Sequence, residues 1–379
     1  MKYVRFGSLE KPVSRFGMGC MRLPQTKAPD GGDIIDEAEA IRMIRYAADN
    51  GVNYFDTAYA YNGSEEVLGK ALKDGYRERV YIATKVPLWA IHSHEDYKKL
   101  FEEQAARLQT DHIDIYIFHC LDRENWKKVK ETGGIEAMEQ LRSEGKISQI
   151  GFSFHAEYAL FEEIIDAYDW DMCLIQLNIL DDNHQAGVKG LRYAAEKGVS
   201  VAIMEPLKGG LLGGNVPEKV QDELNGYFES RSLPEWAFRW VYHHGEAKVV
   251  LSGVSSMEQL QDALRIFDAS EPGVMSASDM QLIARIKEIY RKLVRVGCTG
   301  CGYCMPCPAG VNIPEIFKVY NDSALSAWTE FGKTFYSLVV QNSGADATRC
   351  VRCGSCEQHC PQNLSIPDLL EAAHAELIG

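Results

Sequence analysis

Short apolar runs alternate with amphipathic stretches along most of the chain, from Arg15 to about Ser270. Each apolar run is rich in β-branched or aromatic residues, the composition expected of strands buried on both faces of a parallel sheet. The eight runs are Phe16–Leu23, Val52–Asp56, Val80–Lys85, Ile113–His119, Ile147–Ser153, Met172–Leu177, Val199–Met204 and Val249–Gly253. Helical spacing of apolar residues occurs between them, over Glu37–Asp49, Glu65–Lys73, His94–Leu108, Gly134–Glu144, Glu157–Ala167, Gly187–Glu196, Leu233–His243 and Ser256–Phe267.

Eight strand–helix units within about 250 residues are typical of an α/β protein with a closed (β/α)₈ TIM barrel. A doubly wound open sheet is the alternative, but the Gly-x-Gly-x-x-Gly turn expected after its first strand is absent from the sequence. Met1–Arg15 is predicted to form a hairpin, and the glycine-rich stretch Leu207–Ser230 a long loop of the kind that often covers a site. We therefore predict a barrel over residues 1–272, a helical connector over 273–293 and a small, mainly α-helical domain over 294–379.

Polar residues end most of the predicted strands. In TIM-barrel enzymes the active site lies at the C-terminal ends of the strands. The strand-end residues are Asp56, Lys85, His119, Ser153, Gln176 and Ser252, and Tyr61 follows Asp56 by five residues. Any one of them could simply reach solvent, but an Asp, a Lys, a His and a nearby Tyr on consecutive strands form a set with a definite chemistry.

That chemistry is proton transfer to a carbonyl oxygen. A free tyrosine has a pKa of about 10, and we expect the Lys85 ammonium to lower the pKa of Tyr61 by favouring the phenolate. Asp56 can orient Lys85 through a charge-assisted hydrogen bond, and His119 can donate a hydrogen bond to the carbonyl oxygen. Tyr61 then acts as general acid while a hydride reaches the carbon from a cofactor, since no side chain supplies hydride.

Three segments resemble the aldo-keto reductases: Tyr54–Glu65, Ala83–Lys85 and Tyr116–His119. The resemblance covers roughly residues 1–270 and implies an NAD(P)-dependent carbonyl reductase or alcohol dehydrogenase on a (β/α)₈ barrel. Its catalytic tetrad falls on Asp56, Tyr61, Lys85 and His119. Its nicotinamide carboxamide contacts fall on Ser153 and Gln176, with Asn178 close by, whereas the family's Asn beside the serine is replaced here by Phe154.

The adenosine end of the cofactor site departs from this family. The family commonly places a Lys-Ser pair and an Arg after the eighth strand to grip a 2′-phosphate, but Gly253 and Gln259 stand at the Lys and Arg positions here. Neither can pair bidentately with a phosphate, which weakens the case for NADP and leaves NAD or another cofactor open. The candidate adenosine contacts are Ser255, Gln259 and Asp262. Alternatively, this stretch is only the last barrel helix, with Ser255 or Ser256 as its cap.

Eight of the 11 cysteines lie between Cys298 and Cys360, in two similar runs. The second run, Cys350–Cys360, has the C-x₂-C-x₂-C-x₃-C-P spacing of [4Fe–4S] ligands. The first, Cys298–Cys307, has the same triplet but lacks one residue before its last cysteine. Structural zinc is the alternative, but two C-x₂-C pairs would suffice for zinc.

The paired runs resemble two-cluster ferredoxins, and their separation by predicted helices (Ile316–Tyr320 and Trp328–Val340) favours the α-helical type. The resemblance implies two [4Fe–4S] clusters with crossed ligands. One cluster would take Cys298, Cys301, Cys304 and Cys360, and the other Cys350, Cys353, Cys356 and Cys307.

Charge and hydropathy exclude several classes of partner. The net charge of −14 makes nucleic acid and anionic membranes improbable partners, and it divides into −11 over residues 1–293 and −3 over 294–379, so the cysteine-rich part is not specially acidic. No run of about 18 apolar residues predicts a membrane span, and Met1–Glu10 has no apolar region of a secretory signal. We expect a cytoplasmic protein.

The two parts differ in how they pass electrons. A nicotinamide passes two electrons as hydride and a [4Fe–4S] cluster passes one, so direct exchange needs a converter, usually a flavin, for which no sequence feature is evident. Three hypotheses follow. The barrel is a carbonyl oxidoreductase that the clusters connect to a ferredoxin- or flavodoxin-like carrier; or it works alone with NAD(P) and the clusters are structural or redox-sensing; or the chain is an electron-transfer subunit with a vestigial barrel site.

Overall fold

The computed structural model describes residues 1–28, 32–214, 216–269, 271–325, 333–334 and 336–378, with the side chains of 338 and 339 excepted. The chain forms two compact units. The barrel unit comprises Met1–Leu177, Asp181–Pro206 and Val241–Val274. The cysteine unit comprises Asn178–Leu180, Leu207–Trp240 and Met275–Gly379.

The strands of the barrel unit are β1 (Tyr3–Val4), β2 (Val13–Ser14), β3 (Phe16–Gly19), β4 (Gln25–Lys27), β5 (Asp33–Ile35), β6 (Tyr54–Asp56), β7 (Tyr81–Val86), β8 (Ile113–Leu121), β9 (Ile147–Phe154), β10 (Met172–Gln176), β11 (Ser200–Met204) and β12 (Ala247–Ser252). Each of the eight predicted runs overlaps one strand, and these strands pair in parallel as a closed barrel in the order β3, β6, β7, β8, β9, β10, β11, β12. The (β/α)₈ prediction is confirmed, and the open-sheet alternative is wrong.

The predicted hairpin closes the N-terminal end of the barrel. β1 and β2 pair antiparallel, and Phe6 and Val13 pack against the inward-facing side chains of the barrel strands. The Phe6 carbonyl accepts a hydrogen bond from Gln149 Nε2, near the start of β9. A second hairpin, β4–β5, was not predicted. The opposite end of the barrel, where the strands finish, is therefore the end available for chemistry.

The helices are α1 (Glu37–Asp49), α2 (Ser64–Ala71), α3 (His94–Leu108), α4 (Arg123–Glu131), α5 (Gly134–Ser143), α6 (Tyr158–Ala167), α7 (Gly187–Glu196), α8 (Glu218–Asn225), α9 (Leu233–His243), α10 (Met257–Ala269), α11 (Ala277–Leu293), α12 (Ile313–Leu325), α13 (Ser355–Gln358) and α14 (Ile366–Ile378). The helix α8 lies within the stretch predicted as a continuous loop. It forms because Val220 and Leu224, four residues apart, share one buried face.

The C-terminal part of the cysteine unit is mainly helical, as predicted. Its core joins α12 and α14 through buried residues that include Phe317, Ile366 and Leu370. Six of the 13 residues of the predicted helix Trp328–Val340 lie outside the described residues, and the chain from Tyr336 to Gln341 forms a π-helical turn. Among the described ranges, no helix combines the length and apolar character needed to cross a membrane.

Candidate functional site

A buried ion pair links two neighbouring barrel strands. Asp56 ends β6 and Lys85 lies near the end of β7, and both side chains are almost fully buried. Lys85 Nζ donates to Asp56 Oδ1 at 2.7 Å and to the Thr57 carbonyl oxygen at 2.7 Å. Two acceptors therefore fix the ammonium at the C-terminal end of the barrel.

The loop that carries Tyr61 is closed at its base. The hydroxyls of Thr57 and Ser64 lie 2.8 Å apart, and Ser64 Oγ donates to the Cys20 carbonyl oxygen at 2.9 Å. This closure holds Tyr61 against the ion pair, with Lys85 Nζ 4.8 Å from the ring centre. Unlike Asp56 and Lys85, Tyr61 keeps part of its surface accessible.

The pKa of Tyr61 contradicts the expectation from sequence. Desolvation raises the pKa of Tyr61 to about 12, and it outweighs the lowering influence of Lys85. Asp56 adds to the rise because its carboxylate opposes a second negative charge. The prediction that Lys85 gives Tyr61 a pKa below the usual 10 is therefore wrong in net sign, although the direction of the Lys85 contribution is right. Tyr61 is a protonated donor at neutral pH.

The other two tetrad members have complementary charge states. Burial alone would lower the pKa of Lys85, but Asp56 and Tyr61 outweigh burial and raise it, so the ammonium persists. Burial, Lys85 and His155 lower the pKa of His119 well below its usual value. The His119 ring centre lies 6.2 Å from that of Tyr61. A protonated phenol, an ammonium and a neutral imidazole thus lie at one end of the barrel.

A local irregularity in β8 sets the position of His119. The pairing of β8 with β9 shifts register between Phe118 and Leu121, and Cys120 adopts a left-handed backbone with φ of 54°. The Cys120 amide donates to Ser153 Oγ at 2.8 Å. Ser153, a predicted nicotinamide contact, is therefore also a support for the strand end that carries His119.

The other two predicted nicotinamide contacts are buried near the end of β10. Gln176 Nε2 donates to Asp181 Oδ2 at 2.7 Å, a partner that the sequence analysis missed. Asn178 belongs to the cysteine unit, and its Oδ1 accepts from the Leu180 amide at 3.0 Å. The structure thus shows an acidic partner for Gln176, and the nicotinamide roles stay predictions.

The predicted adenosine contacts lie at the start of α10. Gln259 Oε1 accepts from the Ser255 amide at 2.9 Å, and Ser256 Oγ accepts from the Gln259 amide at 3.2 Å. Ser256 therefore caps α10, and the adenosine contacts stay predictions. Asp262 is paired with Arg265 at 2.8 Å. A cation missed by the sequence analysis, Arg22, passes close to Gly253: a Cβ atom at Gly253 would lie 3.4–3.7 Å from the Arg22 side chain.

A buried polar network behind the site was also missed. Glu65 Oε1 accepts from Thr84 Oγ1 at 2.7 Å and from Gln104 Nε2 at 2.6 Å, and Gln104 Nε2 lies 3.2 Å from the Lys85 carbonyl oxygen. Tyr116 donates to Gln104 Oε1 at 2.8 Å. A signal existed in the sequence, because Gln104 interrupts the otherwise apolar face of α3. The network ties α2, directly after the Tyr61 loop, to the strand that carries Lys85.

The eight clustered cysteines form two groups of four. Cys298, Cys301, Cys304 and Cys360 line one cavity. Cys307, Cys350, Cys353 and Cys356 line another cavity. The fourth cysteine of each run therefore joins the triplet of the other run, which is the crossed arrangement that the ferredoxin resemblance implies. Gly300 N donates to Cys298 Sγ at 3.4 Å, a contact of the kind that tunes cluster potentials.

The electrostatics follow the same grouping. Burial, together with Cys301, Cys298 and Cys360, raises the pKa of the Cys304 thiol to about 12. Within the described residues, no three Cys, His, Asp or Glu side chains converge closely enough to hold a metal ion. Four thiols around a volume suit a polynuclear cluster better than a tetrahedral zinc ion, which draws its sulfurs to about 2.3 Å from one point. This donor set therefore fits a cluster.

Comparison with known proteins decides the family. The model of the Aldo/keto reductase family matches residues 15–288. The chain belongs to this family. A second model, the 4Fe-4S dicluster domain, matches residues 297–364. The protein is thus an aldo/keto reductase-type oxidoreductase with an added 4Fe-4S domain.

Individual relatives match mainly the reductase part. Aldo-keto reductase YhdN of Bacillus subtilis is 31% identical over 280 residues, which cover 69% of this chain and 76% of the relative. The NADH-specific methylglyoxal reductase of Escherichia coli is 26% identical over 343 residues, covering 77% of this chain and 100% of the relative. The holo structure of aldo-keto reductase AKR11C1 from Bacillus halodurans aligns with a TM-score of 0.63 at 29% identity, covering 76% of this aldo/keto reductase and 96% of that chain.

Proposed function

We propose that the barrel reduces a small-molecule carbonyl, or oxidises the corresponding alcohol, with Tyr61 as proton donor or acceptor. The observation that carries this proposal is the buried Lys85–Asp56 pair held against the Tyr61 ring, with neutral His119 beside it. A barrel with a purely structural role has no use for an ion pair buried beneath a tyrosine, because burying charge costs free energy.

The residues divide the work of reduction. His119 donates a hydrogen bond that orients the carbonyl oxygen, and Tyr61 gives that oxygen its proton as hydride reaches the carbon. The Lys85 ammonium stabilises the phenolate that remains, and Asp56 holds the ammonium in place. Alcohol oxidation reverses each transfer.

The chain's groups fit a nicotinamide as the hydride source. Ser153 and Gln176 are a buried hydroxyl and a buried amide at the ends of the adjacent strands β9 and β10, and such groups hydrogen-bond a carboxamide. When bound, the nicotinamide supplies the hydride.

We propose NAD as the preferred form, because Gly253 and Gln259 lack the charge to grip a 2′-phosphate, and the Escherichia coli relative is described as NADH-specific. Comparing kcat/KM with NADH and NADPH tests this choice. Arg22 is the cation that would bind the 2′-phosphate, so a preference for NADPH that disappears in Arg22→Ala would overturn it.

Replacing the proposed acid tests the reductase function. Tyr61→Phe should reduce carbonyl turnover by about 10²–10⁴-fold, with methylglyoxal as the first substrate to try, and leave the iron content unchanged. Tyr59→Phe is the matched control, because the Tyr59 hydroxyl contacts Glu103 and lies outside the tetrad. Undiminished turnover in Tyr61→Phe would contradict the proposal and favour a vestigial barrel site.

We also propose two [4Fe–4S] clusters, one for each group of four cysteines described above, that exchange electrons with a ferredoxin- or flavodoxin-like carrier. Its support is the separation of the eight thiols into two cavities and the exposure of Cys353 at one of them. When assembled, the clusters supply one-electron transfer, and a flavin would be needed to connect them to a hydride step. Iron, sulfide and extracted-cofactor analysis of anaerobically prepared protein tests both statements.

A variant without one set of ligands separates relay from structural or sensing clusters. We expect serine replacements of Cys350, Cys353 and Cys356 to abolish dithionite-driven turnover and to preserve turnover with a nicotinamide. Survival of both activities after cluster loss would exclude relay and favour the second hypothesis, an NAD(P)-dependent reductase with structural or redox-sensing clusters.

A further inference from the structure

The turn after β11 has an uncommon backbone. Lys208, Gly209 and Gly210 have φ values of 46°, 64° and 101°, three consecutive residues in the left-handed region. This conformation is costly for a lysine, and such residues persist where their surroundings determine them. The turn is nonetheless well bonded, since the Gly210 amide donates to the Leu207 carbonyl at 3.0 Å and the Leu212 amide to the same oxygen at 3.1 Å.

The surroundings of the turn include the ligand loop of the first cysteine group. Within the cysteine unit, a Cβ atom at Gly209 would overlap the Thr299 carbonyl oxygen and stand 2.8 Å from Thr299 Cα. Thr299 lies between Cys298 and Cys301 and is only 4% exposed. Backbone therefore packs directly on backbone at this point, an approach that only glycine permits.

Comparison with the neighbouring glycines shows that the contact with the ligand loop is particular to Gly209. Gly210 shares the left-handed backbone, but a Cβ atom there would meet nothing within 4 Å. At Gly213 an added Cβ would lie 3.5 Å from Leu207 Cδ1, an ordinary van der Waals contact. Of these three residues, Gly209 alone has the ligand loop among the atoms nearest to an added Cβ.

We propose that Gly209 is a positioning residue for the first cluster, holding the Cys298–Cys301 loop from a segment that is distant in sequence. The inference rests on the proposed clusters. Because coupling between two sites is reciprocal, assembly of the first cluster also orders the turn after β11. Iron binding would then order the turn after β11, which lies within the part of the sequence that matches the reductase family.

Two glycine variants test the proposal. Gly209→Ala should lower iron from about eight to about four atoms per chain in anaerobically reconstituted protein and remove the electron paramagnetic resonance signal of one reduced cluster. Gly210→Ala, which places an alanine at a larger positive φ of 101° without the contact, should keep the iron content of the wild type. An unaffected Gly209→Ala, or an equal loss of iron in Gly210→Ala, would overturn the proposal.

Cysteine variants decide the matter if Gly209→Ala does not fold. Hydrogen exchange over residues 205–214 should accelerate by about tenfold or more in Cys301→Ser and stay unchanged in Cys353→Ser, because only the first belongs to the group next to Thr299. Equal exchange in the two variants would contradict the coupling. Wild-type protein that binds no iron would instead contradict the proposed clusters, so the two failures are distinguishable.

Discussion

In the proposed reaction, charge placement at single residues controls the chemistry of the barrel. The Lys85 ammonium and the Asp56 carboxylate are both buried, and their mutual contact offsets the cost of removing each from water. Tyr61 stays protonated because desolvation dominates its pKa. Sequence reasoning identified these residues from their types and strand positions, but the dominant influence on Tyr61 depends on packing around the phenol, which no sequence pattern displays.

The pKa of Tyr61 predicts the pH profile of reduction. A general acid with a pKa of about 12 keeps its proton as the pH rises from neutral, so loss of activity by Tyr61 ionisation begins only near that value. Neutral His119 adds no transition near pH 6.5, because its pKa is well below that value. We expect kcat/KM for carbonyl reduction to be flat from about pH 7 to about pH 10. An alkaline limb centred at pH 8–9 would contradict this picture.

Breaking the buried ion pair should cost stability as well as activity. Asp56→Asn leaves the Lys85 ammonium without its countercharge, and the free energy of unfolding should fall by about 3–5 kcal/mol, measured by urea denaturation. Asp49→Asn is the control, because it breaks the half-exposed Arg79–Asp49 pair and should cost less than about 1 kcal/mol. Equal losses of unfolding free energy would show that burial does not determine how much each ion pair contributes to stability.

Helices and strands were predicted best where periodicity is long and regular. The bounds of α1, α3 and α7 are those predicted, and all eight barrel strands fall within the predicted runs or within two residues of them. The missed helix α8 is only eight residues long and lies among glycines such as Gly213, Gly214 and Gly226, whose turn signal conceals its short apolar face. Contacts between elements, such as Glu65 with Thr84, depend on distances that the sequence does not encode locally.

The Glu65 network offers a test between elements. Glu65→Ala removes the acceptor for Thr84 and Gln104, and leaving buried donors unpaired should cost about 1–3 kcal/mol of unfolding free energy. We also expect a lower kcat, because α2 follows the Tyr61 loop directly. Glu66→Ala, at the partly exposed neighbouring position, should change neither quantity appreciably. An unchanged unfolding free energy and kcat in Glu65→Ala would show that the network does not support the site.

At the scale of the whole molecule, two compact units carry different chemistry. The barrel unit holds the four proposed catalytic residues. The cysteine unit holds both thiol groups together with the turn after β11 and most of α9. Each unit is therefore built from three segments that are separated along the chain.

Iron removal should affect the two units differently. The proposed clusters cross-link cysteines that are distant in the sequence, and removing iron removes these cross-links. Anaerobic chelation should therefore accelerate hydrogen exchange over residues 296–378. Barrel peptides, such as those covering β6 to β9, should keep their protection and nicotinamide binding should persist. Loss of protection throughout the barrel unit would show instead that the iron sites stabilise the entire chain.

The crossed grouping of the cysteines also imposes an order on biosynthesis. A ribosome releases Cys298, Cys301 and Cys304 first, yet the fourth thiol of their cavity, Cys360, is the last of the eight to emerge. The second cavity is complete as soon as Cys356 emerges, because Cys307 is already present. The cavity whose first ligands are synthesised earliest is thus the last to become complete. A chain cut between Cys356 and Cys360 would retain all four thiols only of the second cavity.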